Sequence, residues 1–179
     1  YALGKTSGKA NIKNNLDELG IKLSDKELKM VTSKVIELGD KKERVTIEDL
    51  PYIINDVLDY PEKNKKIIID SYVLTSAKTL KPSTALSMII KDKLYQETAS
   101  GDGQFDAFMN ALKSIYKSIN LKLPKLIDYS VRIPPGSDSD ALCETTITWD
   151  SGKKKFKTRG LDSDQTVAAI KATEKMLNV

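Results

Sequence analysis

The stretch GDGQFDAFMNALKSIYKSI, residues 101–119, decides how the rest of the chain is read. Phe105, Phe108, Met109, Leu112, Ile115, Tyr116 and Ile119 recur every three or four residues, the spacing of one buried helix face. The Gly101-Asp102-Gly103 opening puts no bulky side chain in front of the first backbone N–H groups, and a helix start carries partial positive charge. Such a start serves either as a plain turn into a packed helix or as a seat for an anion.

On either side of this helix the period falls to two. Residues 67–77 are rich in β-branched and aromatic side chains and read as a strand, and 83–100 as a hairpin turning near Asp92. After Pro124 the series starts again, with a strand over 126–133, a hairpin over 141–158 turning at Asp150-Ser151-Gly152, and a helix over 164–177. Ile69-Asp70-Ser71-Tyr72-Val73 matches Ile127-Asp128-Tyr129-Ser130-Val131, Ala85-Leu86 matches Ala141-Leu142, and Gly101 matches Gly160, so one unit is about 58 residues long.

The N-terminal third has a helical period throughout. Ile12, Leu16 and Leu19 mark a short helix stopped by Gly20. The Ser24/Glu27 capping-box pattern opens a second over 25–38, closed by Gly39. A third starts at 46–49, tolerates Pro51 near its start and breaks at Tyr60-Pro61. The expected fold is α+β: a small helical subdomain without strands (1–60), a polar boundary (61–66), and two βββα repeats (67–123 and 124–179) related by a pseudo-twofold axis. One such repeat buries little, so two are expected to share a core, with pockets where units or chains meet.

Composition narrows the function. The chain has 179 residues, 40% hydrophobic and 30% charged, with a net charge of +4. No apolar run approaches the roughly 20 residues of a membrane span, so no membrane partner is expected. The weak positive charge and 6% aromatic content do not suit a nucleic-acid surface, and the lysines at 63–66 and 153–155 read as solvated. One cysteine, Cys143, and no histidine rule out an internal disulfide and any Ser-His or Cys-His nucleophile. The alternation around Cys143 turns it towards a core. The chain opens on Tyr1, which reads as part of something longer.

Four segments together resemble a known family, the C-terminal portion of α-isopropylmalate synthase and its relatives, the citramalate and homocitrate synthases. They are Leu3-Gly4-Lys5-Thr6-Ser7-Gly8-Lys9, Val45-Thr46-Ile47-Glu48-Asp49-Leu50, Gly101-Asp102-Gly103-Gln104-Phe105-Asp106-Ala107, and Ile127-Asp128-Tyr129 with the later Asp140-Ala141. The chain departs from the family pattern at Thr6, where many members have histidine, and at Asp102 and Gln104, where asparagine and proline are usual.

The resemblance implies a feedback-regulatory and dimerising part of a cytoplasmic synthase. An end-product amino acid would bind it, leucine for isopropylmalate synthase or isoleucine for citramalate synthase. The parent would condense acetyl-CoA with a 2-oxo acid such as 2-oxoisovalerate in a (β/α)₈ barrel that holds a divalent metal, leaving this part with no catalysis and no cofactor of its own. The linker similarity leans to leucine. Carried over position by position, the effector site comprises Gly101, Asp102, Gly103, Phe105, Tyr129 and Ala141. The effector's carboxylate would lie on the open turn, its ammonium would meet Asp102 or Asp106, and aromatic or small side chains would wall its aliphatic end. The alternative readings are a domain that only dimerises, its ligand site lost, and carboxylate-based catalysis by the whole chain.

Overall fold

The computed structural model describes residues 2–3, 8–40, 45–58, 65–133 and 141–179. Gly4 to Ser7 of the first family-like segment, the expected helix break at Tyr60-Pro61, residues 61–64 of the expected boundary, and Asp140 lie outside them. In the N-terminal part the helical period gives α1 (Lys9–Glu18), α2 (Asp25–Asp40) and α3 (Leu50–Leu58). The capping box before α2 forms, the Ser24 amide donating to Glu27 Oε2 at 2.8 Å and the Glu27 amide to Ser24 Oγ at 3.3 Å. α2 runs through Gly39 rather than closing there. One glycine costs a helix only about 1 kcal/mol, too little to end it beside the fully buried Leu38.

The expectation of a strand-free N-terminal part is corrected. β1 (Ala2–Leu3) pairs antiparallel with β2 (Val45–Thr46), Leu3 opposite Val45. A ladder of two residues has no period to reveal it. It forms because Leu3 and Val45 are buried among the helices, and backbone groups carried out of water need partners.

The two repeats fold as two three-stranded antiparallel sheets, each in chain order and each followed by a helix. The first has β3 (Ile67–Ala77), β4 (Leu80–Ile90) and β5 (Lys93–Ser100), then α4 (Gln104–Ser118). The second has β6 (Lys125–Arg132), β7 (Cys143–Asp150) and β8 (Lys155–Asp162), then α5 (Gln165–Leu177). Lys91 and Asp92, with φ of 49° and 61°, make the tight turn expected near Asp92.

Leu86, Met88 and Ile90 of β4, Phe108, Leu112 and Ile115 of α4, Ile147 and Trp149 of β7, and Ile170 and Met176 of α5 form one buried cluster. Both helices and the helix-facing sides of both sheets therefore share a single core. Trp149 Nε1 donates to Thr158 Oγ1 at 2.8 Å, and that hydroxyl donates to the Ala172 carbonyl at 2.7 Å, joining β7, β8 and α5 through buried polar atoms.

The units match element by element but not at the spacing read from sequence. Strand pairing puts Met88 between Ile69 and Tyr95, and Trp149 between Leu126 and Phe156. Tyr72 thus corresponds to Tyr129, Thr84 to Thr145, and Gln104 to Gln165, the first residue of each helix. Gly160 lies inside β8, whereas Gly101 follows the end of β5. No single offset holds, because Lys78 and Thr79 alone join β3 to β4, whereas a longer connection joins β6 to β7.

The helical part rests on the second unit, its core continuing into Leu142 and Leu161. Lys175 Nζ of α5 meets Asp56 Oδ1 of α3 at 2.7 Å, with only 13% and 11% of the two side chains exposed. The same end of α5 holds the first unit. Glu174 Oε2 accepts the Ile69 amide at 2.8 Å, and Asn178 Oδ1 accepts the amides of Lys66 and Ile67 at 2.7 and 2.9 Å.

β8 passes so close to α5 that a Cβ on Gly160 would lie 1.9 Å from the Ala168 carbonyl oxygen and 2.7 Å from the Ala172 nitrogen. Gly160→Ala is therefore expected to lower the unfolding free energy by about 3 kcal/mol. By thermal denaturation this reads as a Tm fall of about 6–12 °C. A fall under about 2 °C would mean that strand and helix separate easily.

Candidate functional site

The chain leaves β5 and folds back across α4 within three residues. The Gly101 amide donates to the Pro82 carbonyl at 3.0 Å, and the Asp102 amide donates to Asp106 Oδ2 at 2.9 Å. Gly101 is buried under the first turn of α4, and a Cβ there would lie 2.4 Å from the Ala107 nitrogen and 2.6 Å from Asp106 Oδ2. The donors expected to be open at Gly101 and Asp102 are thus already taken, one by β4 and the other by Asp106. Asp106 is committed to holding it. The Asp102 carboxylate is exposed, 3.5 Å from Lys81 Nζ.

Gly103 is the N-cap of α4, with extended backbone (φ −142°, ψ 172°), and no side chain caps the helix. The matching start of α5 differs, because the Asp164 side chain accepts the Thr166 and Val167 amides at 2.8 and 3.0 Å. One helix start is closed by its own carboxylate, and the other is bare.

Aromatic rings stand beside the bare start. Phe105 and Tyr129 have centroids 5.8 Å apart, Phe105 and Phe108 stack at 6.2 Å, and Phe108 meets Tyr72 edge-on at 6.0 Å. Burial pushes the Tyr129 phenol above its ordinary pKa, outweighing the opposing influence of the neighbouring Thr145 hydroxyl and Gln165 side chain. Tyr129 therefore packs against Phe105 at the beginning of α4, with Gln165, the first residue of α5, in its neighbourhood. Ala141, half-buried, lies two residues before Cys143, whose strand partner is Asp162. Cys143 is buried as expected; burial, with Asp162 and Asp164 nearby, pushes its thiol pKa up.

The structure thus gathers Gly101, Asp102, Gly103 and Asp106 in one turn and sets Phe105 on Tyr129, whereas Ala141 lies just before β7 of the second unit. It also adds a feature that the sequence reading missed. A shallow depression of about 380 Å³, lined by Val73, Thr75, Ser83, Ala85, Thr98 and Ser100 among others, lies on the first sheet next to the Gly101 turn. The signal was present as alternate small or hydroxyl-bearing residues along three strands, which is invisible until the strands are paired.

Among the described residues no three histidine, cysteine or carboxylate side chains lie close enough to hold a metal ion, and no helix is long and apolar enough to cross a membrane.

Two sheet-and-helix units with a common core define a duplicated α+β module, one of whose helix starts is bare. The profile of the LeuA allosteric (dimerisation) domain matches residues 44–179, and the chain belongs to that family. Among curated relatives, the 2-isopropylmalate synthase of Aquifex aeolicus (strain VF5) is 30% identical over 98% of this chain and 33% of its own length. That of Methylorubrum populi is 32% identical over 98% of this chain and 32% of its own length. A putative (R)-citramalate synthase CimA of Archaeoglobus fulgidus is 29% identical over 99% of this chain and 35% of its own length. The chain spans about a third of the length of the curated relatives it matches.

Because Asp106 supplies the acceptor that holds the Gly101 turn, Asp106→Ala is expected to cost about 1 kcal/mol, the usual loss of a helix-start acceptor. Urea denaturation measures it. An unchanged midpoint would show that the Pro82 bond alone fixes the turn.

Proposed function

We propose that this chain is the effector-binding portion of a 2-isopropylmalate synthase and takes leucine as the feedback inhibitor of its parent. In this reading the parent is cytoplasmic and homodimeric and joins acetyl-CoA to 2-oxoisovalerate in a separate metal-dependent barrel. The observation that carries the proposal is the bare start of α4, beside the Phe105–Tyr129 pair, in a chain of an allosteric family. A carboxylate seated there would accept the donors that Asp164 accepts in α5. The exposed Asp102 is the acceptor left for the ammonium, and the aromatic pair suits an aliphatic side chain.

A second reading, isoleucine as effector of a citramalate synthase, is favoured by one observation. Relatives with that name match the chain at nearly the same identity as the isopropylmalate synthases. The two ligands differ in the position of one methyl group, a difference of roughly 1–3 kcal/mol in a fitted pocket.

Calorimetric titration with leucine, isoleucine and valine tests both. Selective, saturable heat with leucine supports the first reading, and selectivity for isoleucine the second. Heat with none at millimolar concentration defeats both. The variant that locates the site is Gly103→Asp. A Cβ at Gly103 meets nothing within 4 Å and the backbone is already extended, so stability should change by no more than about 0.5 kcal/mol. Its carboxylate would take the effector's place, and affinity is expected to fall at least tenfold. Unchanged affinity would move the site away from α4.

A further inference from the structure

The two sheets are equivalent in fold and opposite in surface. On the side of the first sheet turned away from the helices, successive rows across β3, β4 and β5 begin with Ile68, Ile89, Leu94 and then Ser71, Ser87, Gln96. The rows continue as Val73, Ala85, Thr98 and then Thr75, Ser83, Ser100. None of these ladder positions carries a charge, in a chain that is 30% charged. Val73 and Leu94 are 59% and 53% exposed. The extra residue of the β3 bulge, Asp70, brings a carboxylate to this side, 3.4 Å from the Ser87 hydroxyl.

The matching rows of the second sheet are dominated by charge. Lys125, Asp150 and Lys155 form one, and Asp128 and Lys157 flank Thr148 in the next. At the far end Glu144 pairs with Leu161, and Leu161 is buried against the N-terminal helices. The second sheet's outer side thus has solvent over its charged rows and this chain's own helices over Leu161 at its far end. Among the described residues nothing shields the first in this way, and Ile68, Val73 and Leu94 on it stay exposed.

We infer that the uncharged outer side of the first sheet is the surface through which two copies of this chain associate, sheet on sheet about a twofold axis. The inference rests on the dimerising character of the family and names the face. A twofold contact sets a surface against itself, so any charge near the axis meets its like. A face without ladder charges avoids that repulsion, whereas rows of lysine do not. Interface centres are depleted of charged residues for the same reason of desolvation. Small residues such as Ser71, Ala85 and Ser83 leave the sheet flat enough for a second sheet to lie close. The depression between Val73 and Ser100 would then be roofed by the partner.

Sedimentation equilibrium of the full chain tests this, with Val73→Lys and Leu94→Lys as face variants and Lys157→Glu on the second sheet as control. All three sites are exposed, so circular dichroism should show unchanged folding. The expected result is a dimer for the parent chain and the control, with each face variant dissociating at least tenfold more readily. Partial restoration on mixing Ala85→Lys with Ala85→Glu chains would add support. Face variants that remain dimers as tight as the parent chain would overturn the inference and leave the dimerising reading intact. A parent chain that is monomeric at every concentration would overturn the dimerising reading itself, and the face with it.

Discussion

A sheet of three strands can cover one side of one helix and no more, and the architecture follows from that shortage of apolar cover. α4 has a continuous stripe from Phe105 to Tyr116, wider than β4 and β5 alone can shield. The second unit supplies the remainder, with Ile147, Trp149 and Ile170 entering the same cluster as Met88 and Phe108. Neither unit has a self-sufficient core, so the duplication is a condition of folding rather than an ornament on it. The close passage of Gly160 beneath Ala168 and Ala172 is one result. There the second helix lies almost on the backbone of its strand, which leaves room for the larger rings that α4 brings.

The same economy explains why the helical part is not free-standing. Its three short helices bury Ile12, Leu16, Val31, Val35 and Ile53, but the cluster closes only with Leu142 and Leu161 from the second unit. The Lys175–Asp56 pair then lies in a place where a lone charge would be costly, so it fixes how α3 meets α5 more than it adds stability. The turn of α5 from Glu174 to Asn178 consequently touches the linker, the first sheet and its own unit.

Much of the fold was legible because amphipathic period is a local property. The three N-terminal helices, the strand over 67–77, the turn near Asp92 and the helix from 104 could be read from a few residues each. What required two distant segments was not. The ladder of Leu3 on Val45 gives no local signal, and the equivalence of Tyr72 with Tyr129 emerges only once strands are paired. Matching Gly101 with Gly160 was a natural error, since both glycines admit a helix closely, one after its strand and the other within it. At the candidate site the glycine turn was visible, but its donors are spent on Pro82 and Asp106, a consequence of chain reversal that spacing does not encode. The bare cap at Gly103 stands out only against Asp164.

The hold of Asn178 on β3 has a bearing on how the molecule is made. The amide of Ile67 finds its side-chain acceptor 111 residues later. At a synthesis rate of about 5–20 residues per second, that partner emerges roughly 6–22 seconds after the strand itself. During that interval β3 can pair with β4, a neighbour in sequence, while the end of the strand and half of the common core stay exposed. Nascent chains on one messenger present these same uncharged faces to one another, so pairing between copies can begin before either chain is complete.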